Sequence, residues 1–406
     1  MAAKALDGIR VIDFSRVFAG PAAAQILGDM GADVIKVEAP NVGDEARYYG
    51  TDKEGLARCG GVGPSFLAFN RNKRSITLDL RSQAGRDTAF RLLEQADVTL
   101  HNFRPGTMER FGLGYDRVRA ENPGIVYGQL SSFGVEGPMR DIGANDLSLQ
   151  AHSGMMSITG DPDRPPVRVG SASIDLHAGL ALATAILGAL FHRQRSGEGQ
   201  FVESSLLRSA SDLMGYFYTE YWTLGIERGR AGTANHLSVP NQAFPTKDGS
   251  VVVISPGDDM WKRCAEALDK DSLGGPEYAT MFDRRQRRDE LIAKITAVTQ
   301  EMTSKELIER LSAAKVNVAN VNTISQASAD PQLPAIGGVY DFSYRTVQAR
   351  AVAAPFAMQG TPLDLRRSPP ELGAHNREIL AEFGFSESEI DRLAQIGAHG
   401  PDPKAQ

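Results

Sequence analysis

Hydrophobic and polar positions alternate in short blocks along the first 130 residues. Residues 8–14 (GIRVIDF) are β-branched and alternating, which predicts a strand. Gly20-Pro21 then opens a small-residue helix, AAAQILGDM, closed by Gly31, and residues 33–38 (DVIKVE) make the next strand. Strand, helix and strand in about 30 residues form a βαβ unit, with a parallel pair and a right-handed crossover. Sites in such sheets lie beyond the carboxyl ends of strands, so residues 15–20 and 38–40 fall on the binding edge. Residues 74–80 (RSITLDL), 97–101 (DVTLH) and 125–130 (IVYGQL) continue as strands, with a helix over 85–95. Residues 40–70, rich in Gly and polar side chains, read as irregular. The recurring pattern of strand, polar loop and helix predicts an α/β fold with a large Rossmann-like domain. Its first loop lacks GxGxxG, so the dinucleotide fingerprint is absent.

A Gly/Pro-rich loop over 159–175 leads into a long apolar helix, LHAGLALATAILGALFHRQ, in which Arg193 is the charged residue. Asp175 stands at its mouth, where an acid ordinarily serves the helix dipole and the free N–H groups. The apolar stretch near 176–191 is interrupted by His177 and glycines and falls short of the ~20 residues a membrane span needs. It is expected to be a core helix, with no membrane partner. A turn at 197–200 leads to a strand over 201–204 and a helix over 206–224. The aromatic cluster of that helix (Tyr216, Phe217, Tyr218, Tyr221, Trp222) is read as packing. Composition shifts at 225–235, a linker rich in Gly and Arg. Beyond it come a strand pair turned at Asp248-Gly249 and helices over 258–267, 284–299 and 303–315. Strands return from 333 (GGVYDFSY, ARAVAAPFAM), and a helix over 376–383 follows. The domains expected are 1–224, the first part of the large domain; 225–330, a linker and smaller α+β domain; and 331–406, the return to the large domain.

Composition narrows the function. The chain has 406 residues, 42% hydrophobic and 23% charged, and its net charge of −6 is spread along it. Neither a nucleic-acid-binding face nor a charged tail is indicated. Cys59 and Cys264 are far apart with no CxxC spacing, and MAAKALDGIRVIDF lacks a signal-peptide pattern, so a cytoplasmic protein is expected. The seven histidines sit singly, without HxxxH or HxH, which argues against a metal site. GxSxG and the P-loop are missing. What remains is the loop-borne carboxylate Asp175 beside strand-end loops rich in Asn, Arg, Ser and aromatic residues. The residues by themselves point to a ligand-binding α/β enzyme that uses a carboxylate.

Longer segments carry a resemblance. LDGIRVIDFSRVFAGPAAAQILGDMGADVIKVEAP, FNRNKRSITLDL, HNFRPG, the helix after Asp175, RSGEGQFVESSL and PPELGAHNREIL resemble, in order, the family III CoA-transferases. That family groups formyl-CoA and carnitine CoA-transferases with the α-methylacyl-CoA racemases. The resemblance implies an interlocked-ring homodimer that moves CoA from an acyl-CoA to a free carboxylic acid. No cofactor is tightly bound; acyl-CoA is a substrate. It assigns the nucleophile to Asp175. Arg16, Val17 and Phe18 match positions that contact the pantetheine and the reacting centre. Asn102, Phe103 and Arg110 match the lining of the CoA pocket, and Arg104 lies in the same motif. Asn72, Lys73 and Arg74 are assigned to the adenine and phosphates. Ala39 stands where an arginine is common, so no phosphate contact is expected there.

Within this family the racemases pair their aspartate with a histidine in Gly-His-Asp. Here the run is Gly143-Ala144-Asn145-Asp146, and an amide neither accepts nor donates a proton at neutral pH. Transfer is therefore favoured over racemisation, the other alternative being a CoA-binding homologue without activity. No glycine-rich tetrad occurs between 228 and 260, which argues against a formyl or oxalate specialist. Residues 237–244 (LSVPNQAF) resemble members that use succinyl-CoA and dicarboxylic acids, with Arg47 and Arg168 as partners for a distal carboxylate. Main-chain N–H groups at the start of the long helix are expected to stabilise oxyanions, provided they are free.

Overall fold

The computed structural model describes residues 3–400; residues 1–2, where the N-terminal reading begins, and 401–406, the end of the last domain, lie outside it. Two compact units make up the described chain: one of 3–155, 169–225 and 333–400, and a second of 156–168 and 226–332. Residues 156–168 thus group with the second unit, although the sequence placed them in the large domain.

Six parallel strands form the first unit's main sheet: β1 (Arg10–Asp13), β2 (Asp33–Glu38), β3 (Lys73–Thr77), β4 (Val98–His101), β5 (Val126–Ser131) and β6 (Phe201–Ser205). Their order is β3-β2-β1-β4-β5-β6. Val11 is in register with Val34 on one side and Val98 on the other, so β1 and β4 lie side by side while their outgoing connections run in opposite directions. A crevice opens at such a reversal, beyond the carboxyl ends of the two strands. β1 to β5 are buried almost residue by residue, polar positions such as Asp13, Lys36, Lys73 and Thr99 included. The helix Asn376–Glu382 supplies Ile379 and Leu380 to the same core, with Phe383 just after it.

The helix Ala19–Asp29 is buried along its whole length. Its small residues let the long helix Ser173–Ser196 approach closely: a Cβ on Gly179 would lie 2.4 Å from the Ala19 carbonyl oxygen. This long helix has 24 residues, so the expectation that it is too short for a membrane span is wrong on length. Ile174, Ala178, Leu182, Ile186 and Ala189 are buried along it at helical spacing, and it packs on Ala19–Asp29, β5 and β6 as a core helix does.

Residues 40–70 are not irregular. They hold a 3-10 turn, Glu45–Tyr48, and helices Lys53–Arg58 and Pro64–Phe69, the first two capped by Asp44 and Asp52. Elements this short show no periodicity. They pack against the antiparallel hairpin β10 (Val339–Tyr344) and β11 (Val347–Val352), which ends before Pro355 rather than running through AAPFAM. The helix expected over 206–224 divides at Met214 into Leu206–Leu213 and Gly215–Leu224.

The second unit is built on an antiparallel sheet of β7 (Asn241–Pro245), β8 (Ser250–Ile254) and β9 (Asn317–Asn320), the last missed in the sequence. Helices Asp258–Leu273, Arg288–Thr299 and Ser304–Ala313 cover it through Trp261, Leu268, Leu291, Ile295, Leu307 and Leu311.

Candidate active site

The crevice between β1 and β4 holds a cavity of about 210 Å³. Its wall brings together Arg16, Val17 and Phe18 after β1, Asn102, Phe103 and Arg104 after β4, and Asp175 from the long helix. Seven of the residues singled out in the sequence therefore meet at one place.

Hydrogen bonds fix the loop after β1. Arg16 N–H donates to Asn102 Oδ1 (2.9 Å), and Asn102 Nδ2 donates back to the Arg16 carbonyl (2.8 Å). The Arg16 guanidinium lies 4.9 Å from the Phe103 ring centroid. Val17 has φ +69°, a conformation that a β-branched residue adopts only when its surroundings impose it. The imposing group is Asp44, whose carboxylate accepts from Val17 N–H at 3.0 Å. Asp44 is in turn paired with the fully buried Lys36 at 2.8 Å. Burial alone would lower the Lys36 pKa, but Asp44, Asp13 and Glu38 outweigh it and raise it; Asp44 is held below the usual carboxylate range. Both stay ionised, and the strained loop hangs from them.

Asp175 is the third residue of its helix rather than its cap. Ala172 occupies the cap position without a side-chain bond, and the capping is done by Asp146. Its Oδ2 accepts from Ile174 N–H (2.9 Å) and Asp175 N–H (3.2 Å). Two expectations are corrected here. Asp175 does not cap the helix, and these two N–H groups are not free for an oxyanion. Burial, and then the nearby Asp146 charge, push the Asp175 carboxyl up to about 7. Asn145 lines the cavity with Asp175, and its Oδ1 caps the helix Asp146–His152 by accepting from Ser148 N–H (3.0 Å). Its Nδ2 has no hydrogen-bond partner in the described structure, leaving a donor for the cavity.

Sequence reasoning missed Asp146 as a functional group. Asn and Asp in succession before an apolar run are a helix-start signal, and that signal was available. What it lacks is the long-range partner, 28 residues on.

The remaining assignments end elsewhere. Lys73 is fully buried and binds Asp13 Oδ2 (2.9 Å), the Pro21 carbonyl and Asn70 Oδ1. Arg74 pairs with Asp33, Glu378 and Glu382. Asn72 donates to Asp29 Oδ1 and the Asp364 carbonyl. The basic run is thus structural: its donors are already spent, and the assignment to adenine and phosphates is corrected on that ground. Arg110 is exposed outside the cavity lining and donates to Thr107 Oγ1. Arg47 forms a two-point pair with Glu38 under Phe66, so it has no free fork for a substrate carboxylate; Arg168 is exposed. No histidine lines the cavity: His152 packs edge-on against Phe133, and His177 pairs with Asp212. His101, buried below Phe103, is held neutral by desolvation that pushes it down to about 3. Among the described residues, no group of three or more His, Cys, Asp or Glu is placed to hold a metal ion.

Known proteins resemble this chain over nearly its full length. The CoA-transferase family III model matches residues 6–376. A succinate–glutarate CoA-transferase of Agrobacterium fabrum is 36% identical over 386 residues, covering 93% of this chain and 95% of that protein. The human succinyl-CoA:glutarate CoA-transferase is 32% identical over 397 residues, 97% of this chain and 90% of its own length. A crystal structure of a CAIB/BAIF family protein from Brucella suis superposes with a TM-score of 0.83 at 32% identity, over 94% of this chain and 99% of that one. A likeness this extensive in both sequence and fold means that the chain belongs to CoA-transferase family III, and the protein is a CoA-transferase.

Proposed function

We propose that this enzyme moves CoA from succinyl-CoA to a short dicarboxylic acid, with Asp175 as nucleophile. The observation that carries the reading is the Asp175 carboxyl itself, set in the switch-point cavity and raised to about 7, while no histidine shares the wall. The dicarboxylate class rests on relatives named for succinate and glutarate.

Asp175 ionises before it reacts. Its carboxylate oxygen attacks the thioester carbonyl; the new C–O bond forms, the C–S bond breaks, and CoA leaves as thiolate. The thiolate then attacks the aspartyl carbonyl of the mixed anhydride, giving an aspartyl-CoA thioester and releasing succinate. The acceptor carboxylate attacks that thioester and expels the thiolate again. Attack of the thiolate on the acceptor's carbonyl yields the new acyl-CoA and frees Asp175. No electron or proton is gained or lost overall, so CoA thioester and acid suffice as reactants. All three enzyme-bound intermediates hydrolyse in water, which a narrow cavity walled by Phe18, Phe103 and Leu206 limits. With the helix N–H groups taken by Asp146, the Asn145 amide is the donor for the oxyanion, and Arg16 and Arg104 favour the anionic substrates. The same reading includes a homodimer with interlocked chains and a cytoplasmic location, where the two free cysteines stay reduced.

The test is trapping. Incubation with succinyl-CoA and hydroxylamine is expected to leave a hydroxamate on Asp175, read by peptide mass spectrometry. Asp175→Ala should lose turnover and keep CoA affinity. CoA exchange without any adduct at Asp175 would move the nucleophile elsewhere. Deuterium exchange at the α-carbon of a 2-methylacyl-CoA, without transfer, would instead establish a racemase.

A further inference from the structure

The second unit contains a cavity of about 560 Å³ that the mechanism above leaves unused. Arg230, His236 and Arg288 line it. Arg230 donates from Nε to the Asp161 carbonyl (3.0 Å) and from Nη2 to the carbonyls of Pro162 and Arg164. Arg288 donates from Nη2 to the carbonyls of Asn235 (3.0 Å) and His236 (3.1 Å). Both guanidinium groups are therefore anchored by neutral main-chain oxygens, and in each the Nη1 group has no protein partner among the described residues. Acids on the neighbouring helix turns serve other cations: Asp258 pairs with Arg284, and Glu290 with Arg287 and Lys294. Asp289 is the carboxylate on the cavity wall, and it is exposed. Burial lowers the Arg288 pKa, Asp289 raises it and Arg285 lowers it further, the pattern of a cation short of counter-charge. The floor is of another kind: Ala231, Ala234, Ile292 and Ala293 are small or apolar.

Cationic forks around a short apolar floor suit a molecule with carboxylates joined by a few methylene groups. We propose that this cavity binds a short aliphatic dicarboxylate, held by Arg230 and Arg288 with its methylenes on the Ala231–Ile292 floor. The inference rests on the dicarboxylate reading above and adds a second-unit site to it. Inorganic phosphate shares the charge but has nothing to place on that floor.

Calorimetry on the full-length Asp175→Ala protein, which cannot turn over, tests the site with glutarate, butyrate and inorganic phosphate as probes. Glutarate should bind at least about tenfold tighter than butyrate or phosphate, because only it engages both forks and the floor. Arg288→Gln and Ala293→Phe should each weaken glutarate binding by about tenfold or more while CoA binding stays unchanged. Arg288→Gln removes two loop contacts and can unfold the loop; Ala293→Phe leaves both arginines in place and fills the cavity instead. Unchanged glutarate affinity in Ala293→Phe, or phosphate binding tighter than glutarate, overturns the site. In the Asp175 enzyme, transfer to glutarate together with an unchanged glutarate affinity in Ala293→Phe sinks this inference alone. Glutarate binding that Ala293→Phe abolishes, in an enzyme that transfers CoA to no dicarboxylate, upholds the site and sinks the acceptor reading alone.

Discussion

At the scale of single residues, the site turns on three side chains at two helix starts: Asn145 and Asp146 at one, Asp175 at the other. Asp146 does two things with one carboxylate. It satisfies two N–H groups of the helix, and its charge opposes ionisation of Asp175. Asp146→Asn keeps an oxygen for the cap and removes the charge. The pH midpoint of the first half-reaction should therefore shift below the native value of about 7, toward the ordinary carboxylate range. An unmoved midpoint in a folded variant means that burial alone sets it. The same raised pKa costs stability. Folded Asp175 keeps its proton up to about 7, while the unfolded chain releases it near 3.8, so stability is lost as pH rises between those values. Asp175→Asn should melt higher than the native protein at about pH 8, with the difference closing at about pH 4. Asn145→Ser retains a good cap and deletes the amide donor. Its kcat should fall by about 10²–10³-fold with the KM for acyl-CoA little changed.

At the scale of elements, charge buried at the carboxyl edge of the sheet holds the strained loop in place. Asp13 and Lys73 are both fully buried and joined at 2.9 Å, and Lys36 donates to the Ser15 carbonyl at 2.8 Å. Removing one partner leaves a stranded charge. Lys73→Met should destabilise the protein by about 3–5 kcal/mol in urea unfolding, and Asp13→Asn added to it should recover part of the loss. The close helix pair gives a second measure: Gly179→Val forces the long helix off the Ala19 carbonyl and should cost about 1–3 kcal/mol. These elements differ in how visible they are in sequence. The strands of the parallel sheet announce themselves through short β-branched, alternating stretches, the 24-residue helix through its apolar run, and the hairpin at Asp248-Gly249 through its turn. The short helices of 45–69 do not, because a turn or two of helix carries no period. Asp175, Arg16 and Asn102 were legible through family motifs, since each lies where a strand or loop must end. The run 72–74 misled because a lysine or arginine looks the same in sequence whether it meets solvent or a buried acid. Only the fold supplies Asp13, Asp29 and Asp33 as partners.

For the whole molecule, the first unit exposes a cluster of large apolar side chains on one short helix. The helix Gly215–Leu224 exposes Trp222 to 75%, Tyr216 to 69% and Leu224 to 65%, and the long helix exposes Phe191 to 62%. The aromatic cluster was read in sequence as packing, yet no residue of Gly215–Leu224 is fully buried. Scattered exposed apolar residues are ordinary; several large ones within ten residues of one helix mark a surface meant to be covered. A second copy of the chain is the occupant that the proposed homodimer provides, and its symmetry places equivalent patches in the same interface. Light scattering after size exclusion is expected to give twice the chain mass at micromolar concentration. Trp222→Glu, Tyr216→Glu and Leu224→Glu together place charge in that interface and should yield a monomer, or a chain that aggregates where its partner is lost. A native protein that runs as a monomer, or a triple variant that remains a dimer, would assign the aromatic helix to something other than self-association.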